Sequence, residues 1–133
     1  MKIYIFDKRT NGFIINICIK NDTDIIEVLK QPMNRNRQLH FFNQIDALIL
    51  EITNPSQDIR FILTHVLLTQ KPTLCLYAKK YPPDNLLENL NKQRNSISIE
   101  VSAYTIDTLD ALVSQFIFNH KLTLGSKLHT TTT

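Results

Sequence analysis

The residue types that do acid–base or anion chemistry crowd into one short stretch of this chain: Asp46, Glu51, the turn Thr53-Asn54-Pro55-Ser56, and Asp58. Paired carboxylates divide general acid and base duties when their surroundings pull their pKa values apart. Asp46 and Glu51 flank the ends of a single apolar run, so in a strand they point to opposite faces. That placement assigns Asp46 to the strand entrance and Glu51 to hydrogen bonds with turn amides. Asp58 falls in the first turn of the helix that should follow, where an acid complements the helix dipole without any catalytic duty. Asp58 and Glu51 are therefore the carboxylates considered for catalysis, and no catalytic residue is assigned. Ser56 is the expected helix N-cap, and its hydroxyl with the free N–H groups of the next turn also makes an anion site. With Asn54 beside it, and Arg9, Lys8 and Arg60 as a basic rim, this turn is the candidate ligand-binding region.

Other chemistries are poorly provided for. The four histidines, His40, His65, His120 and His129, show no metal-ligand spacing, so neither a metal nor a cofactor is expected. Cys18 and Cys75 sit inside apolar runs and read as reduced core thiols of a cytoplasmic protein. Gly12 and Gly125 are the only glycines in the chain, which excludes dinucleotide and Walker-type phosphate loops. A net charge of +3 gives no strong nucleic-acid signal, although Lys30, Arg35 and Arg37 lie near Phe41 and Phe42. No apolar run approaches the ~18–20 residues of a membrane span. The start of the chain is too short in apolar residues for a signal peptide.

Around the turn, the elements that must position it are legible. Ala47–Ile52 is almost wholly apolar, as in a strand covered on both faces. Ile59, Ile62, Leu63, Val66 and Leu67 recur at helical spacing, Lys71-Pro72 stops that helix, and Leu74, Leu76 and Tyr77 begin another strand. Lys2–Phe6 alternates as a first strand. Residues 11–21 read either as a hairpin with Ile15, Ile17 and Ile19 alternating or as a crossover helix; the helix is preferred because the later units commit the sheet to parallel strands, which need a crossover. A helix capped by Asp84 presents Leu86, Leu87 and Leu90 inward, a strand is expected over 96–102, and a last helix capped by Asp107 or Thr108 carries Leu109, Leu112, Val113, Phe116 and Ile117 as one stripe. Strands alternating with helices predict a doubly wound α/β fold of about five parallel strands. Lys79-Lys80-Tyr81 reads as a solvated segment beside a helix. Residues 1–121 form one domain of a length that buries a real core, and 122–133 a mobile tail.

The stretch Ile45-Asp46, Glu51-Ile52-Thr53, Pro55-Ser56 and Leu74-Cys75-Leu76-Tyr77 resembles the nucleoside 2-deoxyribosyltransferases, and is most similar to their relatives, the 2'-deoxynucleoside 5'-monophosphate N-glycosidases. A weaker likeness runs from Lys2 to about Phe118. The resemblance implies strand order 2-1-3-4-5, a nucleotide-like ligand and a homodimer, for which Phe61 and Leu68 are available off the core stripe. It also implies a nucleophilic Glu six residues after the Ser, and that position is Ile62. The two family glycines before it fall at Asp58 and Arg60, and an acid of the family falls at Gln38. The amino-terminal phosphate loop is replaced by Asp7-Lys8-Arg9-Thr10-Asn11-Gly12, where Arg9, Thr10 and Gly12 remain to serve and Asp7 opposes phosphate. The implied function is a catalytically inactive member that binds a nucleotide or a protein partner. The alternative is a divergent N-glycosidase or deoxyribosyltransferase acting on deoxynucleoside monophosphates, with Asp58 or Glu51 as nucleophile.

Overall fold

In the computed structural model, which describes residues 1–29, 40, 43–55, 59–64, 70–93 and 99–131, the apolar runs become strands and the 3.6-period stretches become helices. For 26–29, 91, 93 and 123–131 the backbone alone is described. The elements are β1 (Lys2–Phe6), α1 (Phe13–Lys20), β2 (Asp24–Leu29), β3 (Ala47–Glu51), β4 (Thr73–Ala78), α2 (Asp84–Gln93), β5 (Ile99–Tyr104) and α3 (Ile106–Thr131). Residues 59–64, between β3 and β4, are helical as well. All strand pairs are parallel, in the order β2-β1-β3-β4-β5. The doubly wound order 2-1-3-4-5 is therefore present, and residues 13–20 adopt the crossover helix rather than the hairpin.

Period-two alternation deals the strand side chains onto two faces. Tyr4, Phe6, Leu48, Leu50 and Cys75 face Ile59, Ile62 and Leu63 of the helical segment and Leu86 and Leu90 of α2. Ile3, Ile5, Ala47, Ile49, Leu74 and Leu76 face Ile14, Ile17 and Cys18 of α1 and Leu109, Val113, Phe116 and Ile117 of α3. Both faces are sealed, which is why β3 reads as a near-continuous apolar run; β1, expected to alternate, is buried on both faces as well from Ile3 to Phe6. Polar ties hold α1 on α3: Lys20 pairs with Asp110, and the Asn21 amide donates to Ser114 Oγ at 3.1 Å. Lys121 Nζ donates to the carbonyls of Asn21 and Asp22 just past the end of α1, where a cation is favoured.

The ends of elements differ from expectation in three places. β5 is described over Ile99–Tyr104 and so runs two residues past the end expected at 102; 96–98 lie outside the described residues. The cap of α3 is Thr105, whose carbonyl accepts the N–H of Thr108 and Leu109 while Thr108 Oγ1 accepts the N–H of Thr105 at 2.9 Å. The Thr108 side chain thus supplies the returning half of a capping box, while the Thr105 carbonyl rather than its hydroxyl takes the Thr108 N–H. Similarly, α2 begins at Asp84, and the Pro83 carbonyl opens it by accepting the N–H of Leu87. The helix α3 itself is continuous to Thr131. Among the described residues no helix is long and apolar enough to cross a membrane.

Two outcomes follow from this packing. Ile49 is fully buried in the central strand β3, so Ile49→Ala should lower unfolding stability by about 2–5 kcal/mol in a urea titration. Burial pushes the thiols of Cys18 and Cys75 up to about 12, and neither is disulfide-bonded. Both should resist a thiol-specific reagent at pH 8 in the native protein and react fully in denaturant; rapid labelling of the native chain would contradict the burial.

Candidate functional site

The strand order reverses between β1 and β3, and the crevice outside their carboxyl ends is where open α/β sheets take ligands. Here that crevice, of about 330 Å³, is lined by Phe6, Lys8, Arg9, Glu51, Thr53 and Asn54. A second cleft of about 330 Å³ adjoins it on the β4–β5 side and is lined by Arg9, Thr10, Ala78, Lys79, Lys80, Tyr81, Tyr104, Thr105 and Ile106. Arg9 is the residue common to both.

Glu51 is the last residue of β3 and is buried. A carboxylate there must find partners, because an uncompensated buried charge costs several kcal/mol. Its Oε1 accepts the N–H of Thr53 at 2.6 Å, and its Oε2 accepts the phenol of Tyr104 at 2.6 Å. The Nε of Arg9 stands 3.9 Å from the same Oε2. Thr53 Oγ1 in turn accepts the N–H of Ala78 at 2.9 Å, so the ends of β3, β4 and β5 are lashed together by one buried acid and its neighbours. Burial first, then the hydrogen bond and charge of Glu51, push the Tyr104 phenol well above the usual tyrosine range.

The loop after β1 carries its own anion. Asp7 is buried, and its Oδ1 accepts the N–H of Arg9 at 2.9 Å and of Thr10 at 2.8 Å. The Thr10 hydroxyl donates to the other carboxylate oxygen and accepts the N–H of Ile14 at 3.3 Å, which opens α1. Backbone amides that cradle phosphate in an anion-binding loop are here turned onto a side chain of the same loop. Gly12 closes the loop with φ 87°, a left-handed conformation that a side chain would strain, after Asn11 at φ 55°.

The expected site residues are thus distributed as follows. Arg9, Thr10, Asn54 and Glu51 surround the two adjoining cavities, with Thr10 already engaged by Asp7. Arg60 departs from the expected basic rim: it is exposed and lines a separate hollow with Leu63, Thr64, Leu86, Asn89, Leu90 and Lys92. Counting along the helical segment explains this, since Arg60 lies off the buried stripe of Ile59, Ile62 and Leu63 and toward α2. Asp46 accepts the N–H of Lys2 at 2.7 Å, at the opposite edge of the sheet from the crevice. Ser56 and Asp58 lie outside the described residues, as do Gln38, Leu68 and the basic patch at 30–37 with Phe41 and Phe42. Ile62 is fully buried among Ile59, Leu63 and Leu86 and lines neither cavity at Arg9. Sequence reasoning missed Tyr81, Tyr104, Lys79 and Lys80; the available signal was their position just past, or at the end of, β4 and β5. Among the described residues no group of three metal-ligating side chains converges.

Tyr104→Phe removes one hydrogen bond from a buried carboxylate and should cost about 1.5–3 kcal/mol of stability. The raised phenol pKa fixes the sign of the pH dependence. Its stabilisation is complete below the unfolded tyrosine value near pH ~10 and is lost as pH rises beyond it. Melting temperatures of the native chain should therefore fall more steeply above that pH than those of Tyr104→Phe. Parallel slopes would show that Tyr104 is not protected.

No family model matches the chain, and no curated protein matches it. Among solved structures it is similar to a chain described as the yeast Spc42 trimeric coiled coil, amino acids 181–211, fused to another protein, with 15% identity, a TM-score of 0.57, and coverage of 96% of this chain and 85% of that one. A coiled coil has no sheet, so the likeness includes the fused part, and at this identity it is a likeness of fold alone.

Proposed function

We propose that the chain is a catalytically inactive relative of the nucleoside 2-deoxyribosyltransferases, nearest to the 2'-deoxynucleoside 5'-monophosphate N-glycosidases, and that it binds a nucleotide-like ligand at the cavities around Arg9. The observation that carries this reading is the fully buried Ile62. Where the resemblance requires a carboxylate facing a sugar carbon, this chain has a hydrocarbon packed into the core. Among the described residues Glu51 is the carboxylate lining the crevice, and its two oxygens accept hydrogen bonds from Thr53 and Tyr104. Binding is supported by paired cavities of ordinary ligand size at the switch point, with Lys8, Arg9, Lys79 and Lys80 on their walls. Two unpaired buried thiols suit the reducing cytoplasm, which we take as its compartment. The homodimer that the resemblance implies belongs to the same proposal.

A second reading has one observation in its favour: Glu51 does line the polar crevice, beside Lys8, Arg9 and Asn54. A divergent N-glycosidase would use it as nucleophile after releasing Tyr104.

Incubation with deoxynucleoside 5'-monophosphates should release no free base by liquid chromatography, whereas a mononucleotide should raise the melting temperature. A hundredfold excess over Kd adds about 2.7 kcal/mol to apparent stability. Base release that disappears in Glu51→Gln would establish the second reading instead. Light scattering should give twice the chain mass; a monomer removes the dimer from the proposal.

A further inference from the structure

We infer that the ligand's ring seats on the β4–β5 side of Arg9, in the cleft walled by Tyr81, Tyr104, Ala78 and Ile106, and that the site selects a small anion carrying a planar ring. This deepens the ligand-binding reading above and rests on it, but it moves the recognition surface away from the Thr53–Arg60 turn.

Three observations lead there. The first is negative: the loop after β1 spends its Arg9 and Thr10 amides on Asp7, so those two donors are not open to a phosphate at that turn. The second is the unusual exposure of apolar surface at the cleft's lips. Tyr81 is 57% and Ile106 65% exposed, while Tyr104 beneath them is buried. A flat ring placed between the lips removes apolar surface from water on both its faces. The third is charge. Among the described residues Arg9, Lys79 and Lys80 line this cleft and no Asp or Glu does, so its complement is an anion.

Arg9 is set in advance for the task. Its Nε side faces Glu51, and its Cζ stands 5.1 Å from the centre of the Tyr81 ring. A guanidinium so held loses little freedom on binding, and it keeps its terminal donors for a phosphate or carboxylate. Tyr81 itself is carried by the turn in which its N–H donates to the Ala78 carbonyl at 2.9 Å, immediately after β4. Cation, ring platform and buried floor thus converge from the ends of β1, β4 and β5.

The test uses the full chain, with thymidine 5'-monophosphate and inorganic phosphate titrated separately by calorimetry. The nucleotide should bind more tightly than phosphate. Tyr81→Ala, on an exposed side chain that leaves the core intact, should weaken the nucleotide about tenfold, the scale of one base stacked on an aromatic ring, and leave phosphate unchanged. Arg9→Gln should weaken both probes. If Tyr81→Ala changes nothing while Asn54→Ala or Lys8→Ala abolishes nucleotide binding, the ring lies in the β1–β3 crevice; the inference is then wrong although the ligand-binding reading survives. Equal affinity for the two probes also overturns it, and binding of neither overturns both.

Discussion

A single buried carboxylate organises the carboxyl edge of the sheet. Glu51 ends β3, and everything that meets it comes from another element: Thr53 from the following turn, Tyr104 from the end of β5, Arg9 from the loop after β1. Leaving any of its oxygens bare would cost more than a typical hydrogen bond returns, so these partners are bound to converge. The convergence shapes the cavities. Because Tyr104 reaches across the end of β4 to Glu51, its ring floors the cleft above Ala78, and because Arg9 turns toward Glu51, it becomes the wall between that cleft and the crevice at β1 and β3.

The same economy explains the loop after β1. With two glycines in the chain, a phosphate loop built on backbone flexibility is out of reach. Asp7 instead gathers the amides of Arg9 and Thr10, and Thr10 passes the order on to Ile14 at the start of α1. What the loop loses in anion affinity it gains in definition. Arg9 leaves it at a fixed angle, between Glu51 on one side and the Tyr81 ring on the other.

The frame was legible in the sequence because it follows from burial. The almost wholly apolar run Ala47–Ile52 has one stable home, the interior of a sheet covered on both faces, and the helical stripe at Leu109, Val113, Phe116 and Ile117 satisfies itself against such a sheet. Once β3 and β4 were joined by a helix, the parallel arrangement left residues 13–20 no alternative to a crossover. Asp46 at the strand entrance and Glu51 bonded to a turn amide were likewise readable, since each follows from where a strand begins or ends. The site was less legible. Local spacing shows that Glu51 meets Thr53, but nothing local shows that Tyr104, fifty-three residues on, is its second partner. Arg60 misled for the opposite reason: it lies close to the turn in sequence, yet the helical phase carries it toward α2.

That contrast bears on how the fold relates to chemistry here. A carboxylate at a sheet edge can serve cohesion, chemistry or both, since each of its oxygens has lone pairs for more than one donor. In this chain the acid at the edge is spent on cohesion, the acid of the first loop is spent on its own amides, and the position that the resemblance marks for attack lies beneath the surface as Ile62. The cations are disposed the other way. Lys79 and Lys80 are exposed, and Arg9 is the side chain whose charge is both anchored and accessible, being 40% exposed while its partner Glu51 is nearly sealed. Among the described residues, the negative groups of this edge are engaged internally and the positive groups are left over, a disposition that complements an anion.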